Sequence, residues 1–315
     1  MTGITDPQSD ALARSRAQWA APQADDGSLL RDFLRQFTRS GLAVGALVVF
    51  TSIVLAAVFA PVLAPQNPYD LMQLDIMDGR LSPGSQGYTG TTFWLGTDDQ
   101  GRDLLSGILY GLRISLLVGA GSALIAAVVG TAVGLVAAYA GGRTETLLMR
   151  LVDLQLSFPT ILTALMILAV LGKGIFNVML ALIIVEWAIY ARTARASAMS
   201  ERRREYVEAA ESLALPRWRI VFRHILPNCM PALIVIATIQ IASAIAFEAT
   251  LSFLGLGVPI TEPSLGLLIS NGYRYMLAGD YWTSFFPGVA LLITIVSINL
   301  VGDHLRDVLN PRMER

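Results

Sequence analysis

The stretch EYVEAAESLALPRWRIVFRHILPN, residues 205–228, decides the fold because it places a charged segment between two long apolar runs. It contains three glutamates, three arginines and one histidine. The flanking runs, at roughly 175–191 and 229–257, carry almost no charge, and each is compatible with the ~20 residues that a helix needs to cross a bilayer. The charged segment is therefore expected to lie in water at a membrane surface, between two spans.

The first half of this segment has the pattern of an amphipathic helix. From Ser200 to Leu213, the residues Tyr206, Ala209, Ala210 and Leu213 recur every three to four positions and so share one helical face. Arginine and glutamate occupy most of the remaining surface, and both are strong helix formers. The sequence therefore predicts one helix across this half.

A second short helix is predicted to follow. A break is expected at 214–215, because Pro216 disfavours helical geometry in the residue before it and suits the first turn of a new helix. In the second helix, Trp218 and Ile225 are expected on one apolar side. Pro227 is expected to end this helix where the next span begins.

Two amphipathic helices between membrane spans expose an apolar stripe that something must cover. The stripe can pack on the protein's own bundle, lie on the lipid headgroups, or enter a groove on another protein. Composition alone leaves all three possibilities open.

The composition of the whole chain is that of a membrane protein. Of its 315 residues, 54% are hydrophobic and 15% are charged, and the mean hydropathy is +0.57; globular domains are usually less apolar. The sequence therefore predicts an all-α membrane protein with six transmembrane helices. The six apolar runs lie at roughly 41–63, 114–140, 154–171, 175–191, 229–257 and 284–302.

The distribution of basic residues predicts the orientation of these spans. With a cytoplasmic amino terminus, the inner segments contain 18 lysine and arginine residues and the outer loops contain 5. Both termini are therefore expected in the cytoplasm. The predicted divisions are a cytoplasmic tail at 1–40, a first transmembrane helix with a long periplasmic loop at 41–112, a five-helix core at 113–303 that includes the charged cytoplasmic loop 192–228, and a cytoplasmic tail at 304–315.

Composition also excludes several classes of function. A net charge of -1 is not that of a nucleic-acid binder. Cys229 is the one cysteine, and together with His224 and His304 it makes no convincing zinc site. Lys173 is the one lysine and is followed by glycine, so the chain lacks the phosphate-binding loop of an ATPase. No catalytic residue, metal or cofactor is expected in this chain, and energy for transport must come from elsewhere.

The charged segment also carries a longer motif. EAA, three residues, Ala214, nine residues and HILP resemble the E-A-A-x3-G-x9-I-x-L-P signature of the membrane subunits of binding-protein-dependent ABC importers. The resemblance covers roughly residues 30–312 and is strongest to the C-type permease subunits of dipeptide, oligopeptide and nickel importers. Four further passages carry it: FWLGTDDQGRDLLSGILYGLRISLLVG at 93–119, DLQLSFP at 153–159, FEATLSFLGLGVP at 247–259 and NLVGDHLRDVLNPR at 299–312.

The resemblance implies a type I ABC importer permease in a bacterial inner membrane that forms half of a translocation pathway. The implied partners are a B-type permease subunit, two cytoplasmic ATP-binding subunits that hold ATP and Mg, and a periplasmic or lipid-anchored substrate-binding protein. Importers of peptides, nickel, opines and glutathione share this scaffold, and the resemblance favours small peptides.

The resemblance also implies roles for residues of the charged loop. Glu208 should offer its carboxylate to a basic residue of an ATP-binding subunit. Ala209 and Ala210 should permit close approach, and Leu213 and Leu215 should fill a groove on that subunit.

Two positions depart from the signature, which closes at Pro227. Ala214 replaces the glycine, and His224 replaces the first isoleucine. A left-handed alanine costs on the order of 1 kcal/mol relative to glycine. The sequence therefore predicts either that strain or a stiffer, right-handed turn.

A competing hypothesis is a proton-coupled secondary transporter, because Asp153, Glu186 and Glu248 lie within or at the ends of apolar runs, where acids are costly and often functional. A plainer interpretation pairs Glu186 with Arg192, Asp153 with Arg150 or water, and Glu248 with serine or backbone groups. A membrane scaffold that transports nothing is a third possibility.

The substrate pathway is expected between this bundle and its partner permease, with Glu248 and Asp153 as candidate lining residues. Glu248 is a candidate because small and polar residues interrupt its span. The outer loops at 92–112 and 258–283 are candidate landing surfaces for the substrate-binding protein, or ordinary solvated loops.

Overall fold

The computed structural model describes residue 31 and residues 34–309, apart from 69, 71, 73, 89 and 260. Most of the predicted amino-terminal tail, and residues 310–315 of the predicted carboxy-terminal tail, lie outside these residues. The described chain is predominantly helical, which confirms the predicted fold class. Its elements are α1 Gly41–Val58, α2 Ala60–Leu63, β1 Ser85–Gln86, β2 Thr92–Phe93, α3 Leu104–Ala140, α4 Gly142–Ser157, α5 Thr160–Leu171, α6 Ile175–Arg202, α7 Glu205–Ser212, α8 Arg217–Ile220, a π turn Val221–Ile225, α9 Leu226–Phe253, α10 Leu265–Tyr273 and α11 Trp282–Leu309.

Five of these helices are long and apolar enough to cross a membrane: α1, α3, α6, the continuous α8–α9 unit and α11. Helices α4 and α5 form a sixth span only if they count as one, because they meet at 90°. Six crossings are thus possible. The span predicted at roughly 154–171 is not one continuous helix, because α4 ends at Ser157 and α5 starts at Thr160.

The bend between α4 and α5 has a local cause. Phe158 is extended (φ -92°, ψ 140°) and precedes Pro159, whose ring disfavours helical geometry in the residue before it. With 12 residues, α5 is about 18 Å long and cannot cross ~30 Å of hydrocarbon alone. Helix α4 is amphipathic and buries Val152 against α6.

Helices α3 and α6 pack in very close contact. A Cβ atom on Gly130 would come within 3.0 Å of the Trp187 carbonyl oxygen, and one on Gly134 would come as close to the Ala191 carbonyl oxygen. The small-residue pair noticed in the sequence therefore lies at a helix interface, where glycine lets two backbones approach.

The two ends of the bundle are defined by contacts between distant parts of the chain. At one end, the Gly174 N–H donates to the Gly257 carbonyl oxygen over 3.2 Å. At the other end, the Phe37 and His304 rings meet edge to face, with centroids 5.0 Å apart. The Phe37–His304 end also holds the charged loop 192–228 and is called the basic end. The Gly174–Gly257 end is called the opposite end.

The opposite end is capped by the loop between α2 and α3. Within it, β1 and β2 form a small hairpin, and the Thr97 hydroxyl donates to the Asp78 carbonyl oxygen. Arg102 and Asp98 form a buried ion pair at 3.0 Å. Burial raises the pKa of the Asp98 carboxyl, and the Arg102 guanidinium partly offsets that rise.

Two helix boundaries differ from the predicted divisions. Helix α3 starts at Leu104, ahead of 113, because the Asp103 carboxylate caps it by accepting from the Ser106 N–H over 2.7 Å. Helix α11 runs to Leu309, past 303.

Candidate functional site

The first helix of the charged loop, α7, is separate from α6. Helix α6 ends at Arg202, and Arg203 caps it; Arg204 is extended (φ -85°, ψ 145°) before α7 begins at Glu205. The continuous helix predicted from Ser200 is therefore wrong. The signal that was missed is the change from arginines to glutamates along the chain. Arginines are favourable at the carboxy-terminal end of one helix, and Glu205 and Glu208 are favourable at the amino-terminal end of the next.

One face of α7 packs on the protein's own bundle. Val207 is fully buried and Ala210 is 4% exposed. They share a hydrophobic cluster with Ala198 of α6 and with Ile225 and Cys229 of the following segment. The first of the three coverings considered for the apolar stripe therefore applies to this face, and Val207 is the anchor that the sequence reasoning missed.

The opposite face of α7 and the turn after it are exposed. Glu208 and Ala209 are exposed, and Leu213 is 75% exposed. Tyr206 is also on the exposed side, whereas Leu215 is half-buried against the cluster. The helical face predicted from Tyr206 to Leu213 is thus divided: Ala210 turns inward, and its other members turn outward.

The turn after α7 has a left-handed residue. Ala214 has φ +54°, the Leu215 N–H donates to the Ala210 carbonyl oxygen over 3.2 Å, and the Ala214 N–H donates to the Glu211 carbonyl oxygen over 2.9 Å. This pair of bonds is a Schellman motif, which usually has glycine at the left-handed position. Of the two predicted turns, the left-handed one with a strained Ala214 is observed. Pro216 prevents continuation of the helix.

The second helix does not end at Pro227, contrary to the prediction. Residues Arg217–Phe253 form one continuous span, and both Pro227 and Pro231 lie inside it. A π turn precedes Pro227, in which the Leu226 N–H donates to the Val221 carbonyl oxygen. Such a turn can accommodate a proline, which has no N–H of its own.

The π turn also changes which side chains face inward. Ile220 and Ile225 are buried at 1% and 2% exposure, whereas Trp218 and Phe222 are 67% and 62% exposed. Trp218 and Ile225, predicted on one apolar side, therefore lie on different sides. The cause is the extra residue per turn, which shifts the helical period.

Polar contacts fix α7 to the end of α6. The Tyr206 hydroxyl donates to the Glu201 carboxylate over 2.6 Å. Burial is the larger cause and the Glu201 carboxylate the smaller one of a rise in the pKa of Tyr206 to about 12. The hydroxyl therefore keeps its proton at neutral pH. The Arg202 guanidinium donates to the Ala138 carbonyl oxygen over 3.1 Å, which ties the same region to α3.

Two ion pairs join α4 to α6 near the basic end. Asp153 pairs with Arg192, and Glu145 pairs with Arg195. Asp153 is 63% exposed and Arg192 is 55% exposed. The expected pair of Arg192 with Glu186 is therefore wrong, and so is that of Asp153 with Arg150.

Glu248 is fully buried inside this chain. The Ser115 and Ser252 hydroxyls each donate to its carboxyl group over 2.7 Å. The expected serine partners are confirmed. In this conformation the Glu248 side chain does not reach the surface of the chain, and Asp153 lies on α4 and pairs with Arg192.

Glu186 is the least satisfied acid in the bundle. It is 1% exposed, and within the described chain neither of its carboxyl oxygens has a hydrogen-bond partner. The Tyr190 hydroxyl, one turn away, has none either. No hydrogen bond between described residues links Glu186 to Asp153 or Glu248, so the three acids form no relay here.

The described residues contain no group of three or more His, Cys, Asp and Glu side chains that could hold a metal ion. His304 lies 3.2 Å from the Phe37 carbonyl oxygen. Cys229 is fully buried in the cluster under α7.

The two candidate landing loops differ in exposure. Most residues of 92–112, which include the first residues of α3, are buried, although Trp94 is 69% exposed. In 258–283, Leu277 is fully exposed and Tyr281 is 58% exposed. Asp280 of this loop pairs with Arg80 at 3.3 Å, which joins it to the capping loop.

Comparison with known proteins places this architecture in a family. Residues 130–315 match the family model of the binding-protein-dependent transport system inner membrane component. The chain belongs to this family. Residues 28–83 match the N-terminal transmembrane domain of oligopeptide transport permease C, a region that includes α1 and α2.

Relatives of this permease cover nearly its full length. The di/tripeptide transport system permease protein of Pseudomonas aeruginosa is 39% identical and covers 93% of this chain and 97% of its own length. The oligopeptide transport system permease protein of Bacillus subtilis is 34% identical and covers 91% of each chain. A chain from inward-facing structures of the MetNI methionine ABC transporter has the same fold, with a TM-score of 0.54, 19% identity, and coverage of 65% of this chain and 96% of that one.

These matches confirm the predicted family, a multi-pass permease subunit of an ABC importer in the bacterial inner membrane. As a member, the chain is the non-catalytic, membrane-spanning part of such a transporter. The matches give no support to the alternative hypothesis of a proton-coupled secondary transporter.

Proposed function

We propose that this permease subunit imports di- or oligopeptides. It forms half of the pathway with a second permease subunit, two cytoplasmic ATP-binding subunits supply the energy with ATP and Mg, and a periplasmic or lipid-anchored substrate-binding protein delivers the cargo. The two relatives, a di/tripeptide and an oligopeptide transport permease, support peptides as the cargo. The observation that carries the coupling role is the exposed face of α7 at the basic end.

In this proposal, α7 is the element that binds to an ATP-binding subunit. Leu213 exposes three quarters of an apolar side chain, and full burial of a leucine contributes about 1.5–3 kcal/mol. Glu208 adds a carboxylate one turn earlier, and Ala209 between them offers no bulk. A groove with an apolar floor and a basic rim on the partner would complement this face.

The packed face of α7 explains how movement would be transmitted. Val207 and Ala210 lie in one cluster with Ala198 of α6 and Ile225 at the start of the long α8–α9 span. Because packed interiors deform little, displacement of α7 would move both spans together. Closure of two such ATP-binding subunits would then rock the bundle between inward and outward openings.

The proposal also fixes the orientation of the chain. The basic end faces the cytoplasm, in accord with the bias of basic residues. The opposite end, with the exposed Leu277 and Tyr281, then faces the substrate-binding protein. In the core, the pathway lies against the second permease subunit and not through the buried Glu248.

The test is charge reversal on α7 in the assembled importer. Glu208→Arg should reduce substrate-stimulated ATP hydrolysis and dipeptide uptake about tenfold or more, because a charge-assisted contact worth roughly 1.5–3 kcal/mol is lost. Glu211→Arg is the matched control. Glu211 is exposed on the same helix, but it lies four residues after the buried Val207 and therefore on the side of α7 that packs on the bundle. Equal losses in the two variants, or full coupling in both, would contradict the proposed docking face.

A separate measurement tests the cargo. Uptake of a labelled dipeptide should be displaced by unlabelled di- and tripeptides and not by nickel ions or an opine. Displacement by nickel alone would overturn the peptide assignment and leave the coupling proposal intact.

A further inference from the structure

An open apolar groove lies between α3 and the α8–α9 unit, in the half of the bundle nearest the basic end. Its volume is about 810 Å³. Along α3 it runs from Leu124 to Ala140, and along the facing unit from Ala237 to Arg217. At 1.5 Å per residue, these walls are about 24 and 30 Å long, more than the ~15 Å hydrocarbon depth of one leaflet.

The side chains of this groove are exposed although they are strongly apolar. Leu124 is 69% exposed, Val128 is 65% exposed and Val136 is 53% exposed. On the other wall, Trp218 and Phe222 are 67% and 62% exposed. These residues belong to helices that are long and apolar enough to cross a membrane, so their exposed side chains suit contact with lipid.

The rim of the groove has the chemistry of a headgroup site. Arg217 is the one charged side chain among its lining residues, all of which the structure describes, and Arg217 makes no ion pair with any described residue. A second guanidinium lies beside the rim: Arg202 is 5.1 Å from the ring centroid of Tyr139. Tyr139 and Trp218 flank the rim as an aromatic belt flanks a membrane interface.

The wall beside this rim also carries the π turn. Val221 and Phe222 of that turn line the groove. The turn is what places Phe222 outward while Ile225 packs inward under α7. A molecule in the groove would therefore touch the segment that links the exposed face of α7 to the α8–α9 span.

The geometry points to a binding site for an anionic phospholipid of the leaflet at the basic end. Its acyl chains would lie against Leu124, Val128 and Phe222, and its phosphate would lie beside Arg217. Charge complementarity favours this occupant, because basic pockets between transmembrane helices bind acidic headgroups. A partner helix would cover the apolar walls equally well, but its apolar contacts would give no role to a cation at the rim. The inference needs only that these helices span the membrane, and it does not depend on the transported substrate.

The test uses photoreactive phospholipids and the assembled importer in phosphatidylcholine vesicles. Photoreactive phosphatidylglycerol and phosphatidylcholine with the same acyl chains are added in turn, and labelled peptides are mapped by mass spectrometry. Phosphatidylglycerol should label the α3 wall about fivefold more, as expected for one arginine near a headgroup. Equal labelling by the two lipids would overturn the proposal.

Variants separate the headgroup site from the acyl groove. Arg217→Gln should remove the excess of phosphatidylglycerol labelling, and Arg217→Lys should restore it. Ala132→Phe, which fills an exposed position of the groove wall, should reduce labelling by both lipids. Val129→Phe is the matched control, since Val129 is 42% exposed on the same helix but lies outside the groove.

Three further outcomes would contradict the proposal. One is a phosphatidylglycerol excess that survives Arg217→Gln. Another is equal loss of labelling in the Ala132→Phe and Val129→Phe variants. The third is protection of the α3 wall in the assembled importer together with crosslinks to another subunit, which would make a protein the occupant.

Discussion

Ala214 is a strained residue at the hinge between α7 and α8. Its φ of +54° lies in the left-handed region, where a side chain costs roughly 1–2 kcal/mol. The two Schellman bonds and Pro216 hold it there. The related signature has glycine at this position, so the local geometry is retained and the strain is accepted.

Replacing Ala214 with glycine should therefore stabilise the protein. Ala214→Gly is expected to raise the free energy of unfolding by about 1 kcal/mol, because the left-handed conformation no longer meets a Cβ atom. Denaturant unfolding of the purified subunit in detergent measures the change. As a control, Ala209→Gly inside α7 should lower the free energy of unfolding by about 1 kcal/mol. A destabilised Ala214→Gly variant would show that the turn does not carry this strain.

At this scale the sequence included the left-handed turn at Ala214 as one of two alternatives, and serine hydroxyls as one of two kinds of partner for Glu248. It did not predict which acid pairs with Arg192, because that choice depends on how α4 lies across α6. Glu186 and Asp153 are both acidic and both near an apolar run. Only the bend at Phe158 and Pro159 brings Asp153 to Arg192.

The close packing of α3 on α6 is the main contact between elements of the core. Gly130→Ala and Gly134→Ala should each reduce the yield of folded protein and lower its thermal unfolding temperature. The reason is that each new Cβ would meet backbone atoms of α6 within 3.0 Å, so the helices must separate. Fluorescence size-exclusion chromatography with heating measures both effects.

A matched glycine is available as a control. Gly45 lies in α1, and an added Cβ would meet nothing within 4 Å. Gly45→Ala should leave the unfolding temperature unchanged or raise it slightly, since alanine is the better helix former. If all three variants raise the unfolding temperature alike, helix propensity and not close approach explains the results.

The elements themselves were predicted unevenly. Long apolar runs predicted the spans, and Pro216 predicted the end of α7. The same reasoning failed at Pro227, because the π turn before it lets the helix continue. It also placed Ser200 and Leu213 in one helix, since helical periodicity does not reveal a short break at Arg203 and Arg204.

For the whole molecule, the energy source separates an ABC permease from a carrier. Collapse of the proton gradient at constant ATP should leave uptake by the assembled importer unchanged. The variant Glu248→Gln should also keep uptake within about twofold, because the amide oxygen can accept from one serine hydroxyl and the amide N–H can donate to the other. Uptake that stops with the gradient would favour a carrier that uses these acids.

The sequence predicted the family-level architecture well because the spans and the charged loop depend on patterns of apolar and charged residues that are local in the chain. The exposed face of α7 could not be predicted that way. Which side of α7 is free depends on the fit of Val207 and Ala210 between α6 and the α8–α9 unit, a contact between residues distant in the chain.

The most direct test of the coupling claim is a crosslink from Leu213. The chain has one native cysteine, Cys229, and it is fully buried, so Leu213→Cys adds the exposed thiol. In the intact importer, this thiol should crosslink to an ATP-binding subunit and respond to ATP, whereas Tyr88→Cys at the opposite end, where the native residue is 83% exposed, should not. Absence of any crosslink from Leu213→Cys to an ATP-binding subunit, or its labelling from outside intact cells by an impermeant thiol reagent, would contradict the account.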